Sequence, residues 1–141
     1  MSLYVLDTDT LSLLQRNHRV VRQHVDAVAP TDLAVTIISV EEQLTGWYTA
    51  LRRANPTRPD HLAHVYQNLT DTVQVLAALP ILSFTEAAVN RYFTLQAMKL
   101  NVGKMDLRIG AIALEHGAIV VTRNLRDFQR IPNLTAEDWS V

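Results

Sequence analysis

Asp7 closes the apolar run Leu3–Leu6 and is followed at once by Thr8 and Thr10; far along the chain, Ile119–Val121 runs in the same way into Thr122, Asn124 and Asp127. Between them, Leu33–Ile38 leads to Glu42, and Asp106 opens another apolar stretch. Carboxylates brought to one point repel each other unless a cation lies between them, and a shell of oxygen ligands suits Mg²⁺ or Mn²⁺. A divalent cation held that way polarises a phosphoryl oxygen and acidifies water, so these residue types point to hydrolysis of phosphate esters. Cysteine is absent, which removes disulfides, thiolate zinc sites and thiol nucleophiles together. Each acid also has a plainer reading. Asp7 or Thr8 can simply cap a helix, Asp106 likewise, Glu42 fits a capping box with Ser39, and Asp127 can be a solvated loop acid.

The elements that must position these residues follow from hydrophobic periodicity. Leu3–Leu6 reads as a buried strand that turns into a helix near Thr8–Thr10, running to about Arg16. A second helix is expected over roughly Val20–Val28, ended by Pro30. Leu33–Ile38, rich in Val, Ile and Thr, favours a strand. Ser39–Ala54 carries Val40, Leu44, Trp47, Tyr48 and Leu51 at helical spacing. Pro56 and Pro59 place a turn over Asn55–Asp60, and Leu62, Val65, Tyr66, Leu69, Val73 and Leu76 mark the second arm of a helical hairpin. Pro80 stops that arm, Ile81 and Leu82 suggest a short strand, and a helix containing Val89–Leu100 ends at Gly103. Asp106–His116 is a helix apolar on nearly all sides with Gly117 as its cap, and Ala118–Thr122 and Leu134–Glu137 complete the strands.

Strands this apolar have no wet face, so the expected fold is α/β: a three-layer α/β/α sandwich with a mostly parallel, about five-stranded sheet and a protruding helical hairpin. The whole chain, residues 1–141, is expected to be a single domain. Ligands of open parallel sheets bind at the carboxyl ends of the strands, where Asp7, the Thr36–Glu42 segment and Thr122–Asp127 all fall. Asp106 joins them if Gly103 turns the chain back toward that edge. With 48% hydrophobic and 19% charged residues the composition is that of a globular protein, and no apolar run approaches the roughly 18 residues of a membrane span. The start of the chain shows no basic leader, so a cytoplasmic protein with no membrane partner is expected. A net charge of −1 leaves nucleic acid open as a partner, because phosphate binding needs a local basic patch rather than a basic average.

Four segments in order resemble the PIN-domain toxins of the VapC type. They are Leu6-Asp7-Thr8-Asp9-Thr10-Leu11; Ile38-Ser39-Val40-Glu41-Glu42-Gln43-Leu44-Thr45-Gly46, with Glu42 four residues before the glycine; Gly103-Lys104-Met105-Asp106-Leu107-Arg108-Ile109-Gly110-Ala111; and Ile119-Val120-Val121-Thr122-Arg123-Asn124-Leu125-Arg126-Asp127-Phe128. Ile131-Pro132-Asn133-Leu134 and a closing Glu137-Asp138-Trp139 extend the last. The resemblance implies a PIN-like fold and a metal-dependent ribonuclease, the toxin of a toxin–antitoxin pair. It makes Asp7, Glu42 and Asp106 the catalytic and metal-centred acids, with Mg²⁺ or Mn²⁺ as cofactor and Thr8 and Thr122 as supporting hydroxyls. The family often has a fourth acid just after that threonine; here Asn124 stands there and Asp127 follows three residues later, leaving the fourth ligand open between them. An RNA substrate, an antitoxin whose C-terminal segment blocks the site and a homodimer built through the helices are further implications.

Lys104, Arg108, Arg123 and Arg126, with Lys99, flank the third and fourth motifs as a basic rim suited to RNA phosphates, or as ordinary solvated surface. His61 and His64 lie three apart on a helix, but without a further ligand nearby they do not read as a zinc site. Trp47, Tyr48 and Tyr66 read as hairpin core, or as a subunit or inhibitor surface if left exposed. Two rival functions remain. Asp7-Thr8-Asp9-Thr10-Leu11 also fits the haloacid-dehalogenase pattern of an aspartyl nucleophile and a second acid, but only 19 residues follow Thr122 and they lack a suitable acid pair. A catalytically inactive PIN-fold binding module is the other, and Asn124 is the residue that favours it.

Overall fold

The computed structural model describes residues 2–141. Five strands, β1 (Tyr4–Leu6), β2 (Leu33–Thr36), β3 (Ile81–Leu82), β4 (Ile119–Val121) and β5 (Thr135–Glu137), form one sheet in the order β3-β2-β1-β4-β5. Every neighbouring pair is parallel, with Val5 opposite Ala34 on one side and Val120 on the other. The helices are α1 (Thr8–Gln15), α2 (Arg19–Asp26), α3 (Ile37–Arg53), α4 (Pro59–Ala77), α5 (Glu86–Ala97), α6 (Lys104–Glu115) and the single turn α7 (Leu125–Phe128).

Alternation along the strands divides the core into two layers. Val5 and Val120 point into a cluster with Tyr92, Leu95, Ile109, Ile112, Phe128 and Ile131, supplied by α5, α6 and the α7 region. Leu6, Val35 and Val121 point the other way, against Leu11, Leu14, Val21, Leu76 and Trp139. The expected three-layer sandwich is therefore present. Close approach helps the first layer: a Cβ on Gly110 would come within 2.7 Å of the Ile131 side chain. The α3–α4 hairpin stands partly free, leaving Tyr48 49% and Tyr66 54% exposed. Both tyrosines thus lie on a surface rather than in the hairpin core.

Several boundaries differ from the sequence reading, each for a local reason. The strand ends at Thr36 rather than Ile38, because the Thr36 hydroxyl accepts the Ser39 amide at 3.3 Å and caps α3. The capping box of Ser39 with Glu42 does not form: Ser39 is already inside the helix, and Glu42 lies a turn too far along to reach the cap. Helix α2 stops at Asp26, and Pro30 instead opens a short 3₁₀ turn. The last residues of the expected interhelical turn belong to α4, with Pro59 in its first turn where no amide is needed. Gly103 does not end α5; Lys99 and Asn101, at φ of 53° and 59°, turn the chain, and Gly103 is the residue that precedes α6. Gly117, at φ +58°, terminates α6 as expected. Among the described residues no helix is long and apolar enough to cross a membrane.

Candidate active site

The chain leaves β1 toward β2 and β3 on one side and returns to β4 and β5 on the other, so the sheet's switch point lies between β1 and β4. A crevice at the carboxyl ends of those strands is dictated by this topology. Asp7 and Thr122 are the first residues past them, and the Asp7 amide donates to the Val121 carbonyl at 3.0 Å. The cleft found there is lined by Asp7, Thr8, Asp9 and Ser12 from the start of α1, Glu42 from α3, Asp106 from α6, and Arg123 and Asn124 after β4.

Asp7 is the N-cap of α1, its Oδ1 accepting the Thr10 amide at 2.8 Å, and it also faces the cleft. The plain capping reading and the site reading hold together for this residue. Only 5% exposed, Asp7 has its carboxyl pushed up by burial, while hydrogen bonding from Thr122 and Thr10 pulls the other way. Glu42 is held differently: Thr8 Oγ1 donates to its Oε1 at 2.6 Å and lies 2.9 Å from Ser39 Oγ. Asp106 sits in the first turn of α6, where the helix dipole favours an acid. Its carboxyl is nevertheless raised to about 6, first by burial and then by the charges of Asp7 and Glu42. The turn through Lys99–Gly103 has brought this acid to the strand edge.

No lysine, arginine or histidine among the described residues forms an ion pair with Asp7, Glu42 or Asp106. As the side chains stand, no three carboxylate or histidine groups among those residues lie close enough together to hold an ion. The donor set is all oxygen, mutually repelling and open to one side. Such a set suits a hard divalent cation that keeps several ligands from water or substrate.

Asn124 and Asp127 separate clearly. Asn124 lines the cleft; Asp127 stands behind it, accepting Asn124 Nδ2 at 2.8 Å and pairing with Arg130 at 3.0 Å. Arg130 also donates to the Asn101 carbonyl at 2.8 Å, tying Asp127 to the loop that delivers α6. Thr8 lines the cleft, whereas Thr122 is fully buried and accepts the Asn124 amide at 2.8 Å.

The basic residues do not gather as one rim. Arg123 borders the cleft but is engaged in a bidentate pair with Asp9, at 2.7 and 3.2 Å. Lys104 and Arg126 are exposed and outside the cleft lining. Arg108 lies elsewhere, its guanidinium 5.1 Å from the Tyr92 ring centre and 5.8 Å from that of Phe84, with Nε buried and unpartnered among the described residues. Sequence reasoning missed the Thr8–Glu42 bond, the Asp9–Arg123 pair and Arg130. Only Arg130 carried a local signal, an opposite charge three residues after Asp127.

Known proteins share this sequence pattern and this fold. Ribonuclease VapC1 of Haemophilus influenzae is 26% identical over 145 aligned residues, covering 98% of each chain. A stretch of 38 residues is 50% identical to the tRNA(fMet)-specific endonuclease VapC of Salmonella typhimurium, covering 27% of this chain and 29% of that one. Among solved structures, DNA-bound VapBC from Salmonella typhimurium superposes with a TM-score of 0.80 at 24% identity, over 99% of each chain. The PIN-domain profile matches residues 4–134, a span that takes in β1, the acids of the cleft and the β4 edge. On that match, from first strand to last motif, the chain belongs to the PIN-domain family.

Proposed function

We propose that this protein is a ribonuclease of the VapC kind, the toxin of a toxin–antitoxin pair, which hydrolyses RNA phosphodiester bonds in the cleft between β1 and β4 with Mg²⁺ or Mn²⁺ as cofactor. The observation that carries this reading is the meeting of Asp7, Glu42 and Asp106 with none of them paired to a protein cation, in a chain of the PIN-domain family. Asp7, Glu42 and Asp106 would hold the metal, with the Asn124 amide oxygen as the fourth protein donor; Asp127, taken up by Arg130 and Asn124, acts through Asn124 instead. A divalent cation supplies Lewis-acid polarisation of a phosphoryl oxygen and acidifies water at neutral pH.

The chain's own side chains have distinct parts in this scheme. The Thr10 amide fixes the Asp7 carboxylate, and the Thr8 hydroxyl fixes Glu42, so neither acid needs to reorganise when substrate arrives. Asp106 is bonded by the Asn124 side chain rather than by a hydroxyl or backbone amide, and with its carboxyl raised to about 6 it would be the acid to accept a proton from the attacking water. Arg123, at the mouth, meets phosphate oxygens beside the scissile one, and exposed Lys104 and Arg126 attract the backbone at longer range. The phosphatase alternative is not favoured, because Asp9, its required second acid, is bound by Arg123 through two hydrogen bonds.

An antitoxin covering the site is the expected protein partner, supported by the family of complexes to which the VapBC neighbours belong. A homodimer is supported by apolar side chains left open at the end of α5, Phe93 at 57% and Met98 at 51%. The test is cleavage of RNA by the purified protein with Mg²⁺ or Mn²⁺, beside Asp7→Asn. Metal-dependent cleavage lost in the variant supports the reading. Turnover of small phosphate esters instead, or growth arrest on expression that persists in Asp7→Asn, overturns it.

A further inference from the structure

A second cavity, of about 620 Å³, opens beside the cleft between α1, α3 and α4, and the two share Thr8, Ser12 and Glu42 as a common wall. Its size lies within the range of small-molecule pockets, about 300–1,000 Å³. Three side-chain amides, Gln15, Gln43 and Asn68, line it. Gln15 and Gln43 form a reciprocal pair, each Nε2 donating to the other's Oε1 at 2.9 and 2.8 Å. Gln43 also reaches Ser12 Oγ at 3.3 Å, on the shared wall. Trp47 forms part of the boundary, and its indole nitrogen is tied to Thr72 Oγ1 at 2.8 Å, which fixes the plane of the ring.

An amide pair of this kind presents one donor beside one acceptor, and each partner satisfies the other only while nothing better is bound. A nucleobase edge carries the same alternation; glutamine meets adenine through two hydrogen bonds. Unpaired bases of RNA are held by such contacts together with stacking on aromatic rings. Charge fits a base rather than a phosphate, since the cavity's charged residues are Glu42, Asp71 and Arg16, two acids and one base. Gly46 adds a separate observation. It lies within α3, where glycine is unfavourable by about 1 kcal/mol relative to alanine, yet a Cβ there would meet no atom within 4 Å. Packing of the chain on itself gives no reason for the missing side chain, and the residue is exposed where it borders the cavity.

We propose that this cavity receives an unstacked base next to the scissile phosphate, adenine in preference to the others, read by the Gln43 amide and stacked on Trp47. The inference rests on the ribonuclease reading above and adds the site that selects where the RNA is cut.

The experiment is cleavage of a random-sequence RNA pool with Mg²⁺ or Mn²⁺, with the ends of the products sequenced, for the wild type, Gln43→Glu, Gly46→Leu and Asp7→Asn. The wild type should favour adenine at one position beside the cut by about tenfold, the discrimination of one good bidentate contact. Gln43→Glu keeps the shape but removes the donor, so the preference should leave adenine and move toward cytosine, whose amino group an acid accepts. Gly46→Leu should raise KM about tenfold with kcat nearly unchanged, while its melting temperature stays level or rises because a mid-helix glycine is gone. A role for Gln43 in merely joining α1 to α3 predicts lower stability with an unaltered base profile. That result overturns the proposal, as does a Gly46→Leu enzyme with unchanged KM. If Gly46→Leu loses only the binding of a protein partner, the cavity is a protein-docking surface and the proposal likewise falls. Cleavage by wild type but not Asp7→Asn, with unchanged profiles in the two cavity variants, leaves the ribonuclease reading standing and removes only this inference. No cleavage of the pool by the wild type removes both.

Discussion

Asp9, at the rim of the cleft, and Asp127, outside its lining, each meet an arginine, at 2.7 and 3.0 Å, whereas Asp7, Glu42 and Asp106 meet none among the described residues. Acids of one chemical type thus sit within one small region under opposite conditions. At the edge, each charge is balanced by the chain and the pair contributes to holding loops. At the centre, burial pushes Asp7 upward, and burial with the charges of Asp7 and Glu42 raises Asp106 to about 6. A fold that leaves charge unbalanced where it is least solvated is not stabilised by it. The contrast therefore separates residues that hold the structure from residues kept for a cation and a substrate.

The strongest way to break this contrast is to neutralise the centre. Asp7→Asn keeps the α1 cap, because asparagine caps as well as aspartate, and Asp106→Asn keeps the shape of the first turn of α6. RNA cleavage should fall by more than about a hundredfold in each, beyond the effect of losing an outer partner of a metal site. The melting temperature of the chelator-treated protein should hold or rise. A fall in melting temperature that tracks the loss of activity would make these acids structural.

The next effect concerns pH. Asp106 binds its proton more tightly folded, at about 6, than at its ordinary 3.8. Its contribution to stability is therefore full below about pH 4 and is lost as pH rises through about 6. With EDTA present, wild type should lose about 1 kcal/mol relative to Asp106→Asn between those limits, the figure being reduced for partial solvent screening. Adding Mg²⁺ or Mn²⁺ at neutral pH should raise the melting temperature of wild type and not of the variant. Thermal melts across pH with and without metal measure both.

At the edge the order of effects reverses. Asp127→Ala removes an acceptor for Asn124 and the partner of Arg130, which also holds the Asn101 carbonyl. Stability should fall by about 1 kcal/mol, and activity by about tenfold through a displaced Asn124. Added metal should not rescue it. Rescue by excess metal would move Asp127 from the edge to the centre.

How much of this was legible in the sequence depended on whether the determinant was local. The strand-to-helix turn at Asp7 was readable because an apolar run, an acid and two threonines are contiguous. Parallel pairing followed from strands with no polar face. The plainer reading of Glu42, as a capping-box residue, arises because Ser39 looks like a cap as much as Thr36 does; Thr36 prevails since the strand ends there, and α3 begins two residues before Ser39. Gly103 looked like a helix end, but Lys99 and Asn101 adopt the left-handed conformation that glycine was expected to supply. The aromatic stack that takes up Arg108 depends on Phe84 and Tyr92 from another part of the fold, which no spacing rule reveals.

The smallest effect sharpens the comparison most. Asp9 and Arg123 are both about half exposed, 51% and 49% at the side chain, so their pair adds little to stability despite two good hydrogen bonds. A double-mutant cycle with Asp9→Asn and Arg123→Gln should give a small coupling that shrinks as salt is raised. Its effect on activity should be asymmetric. Arg123 already interacts with the charge of Asp7, and without Asp9 it is the cation best placed to lean into the centre and compete with the metal. Asp9→Asn should therefore raise the Mg²⁺ concentration for half-maximal cleavage by about twofold to threefold at low salt. Arg123→Gln should instead raise KM for RNA and leave the metal requirement unchanged. If Asp9→Asn alters neither quantity, Arg123 is held off the centre by something other than its partner, and the acid at the rim is not what keeps the central charge unbalanced.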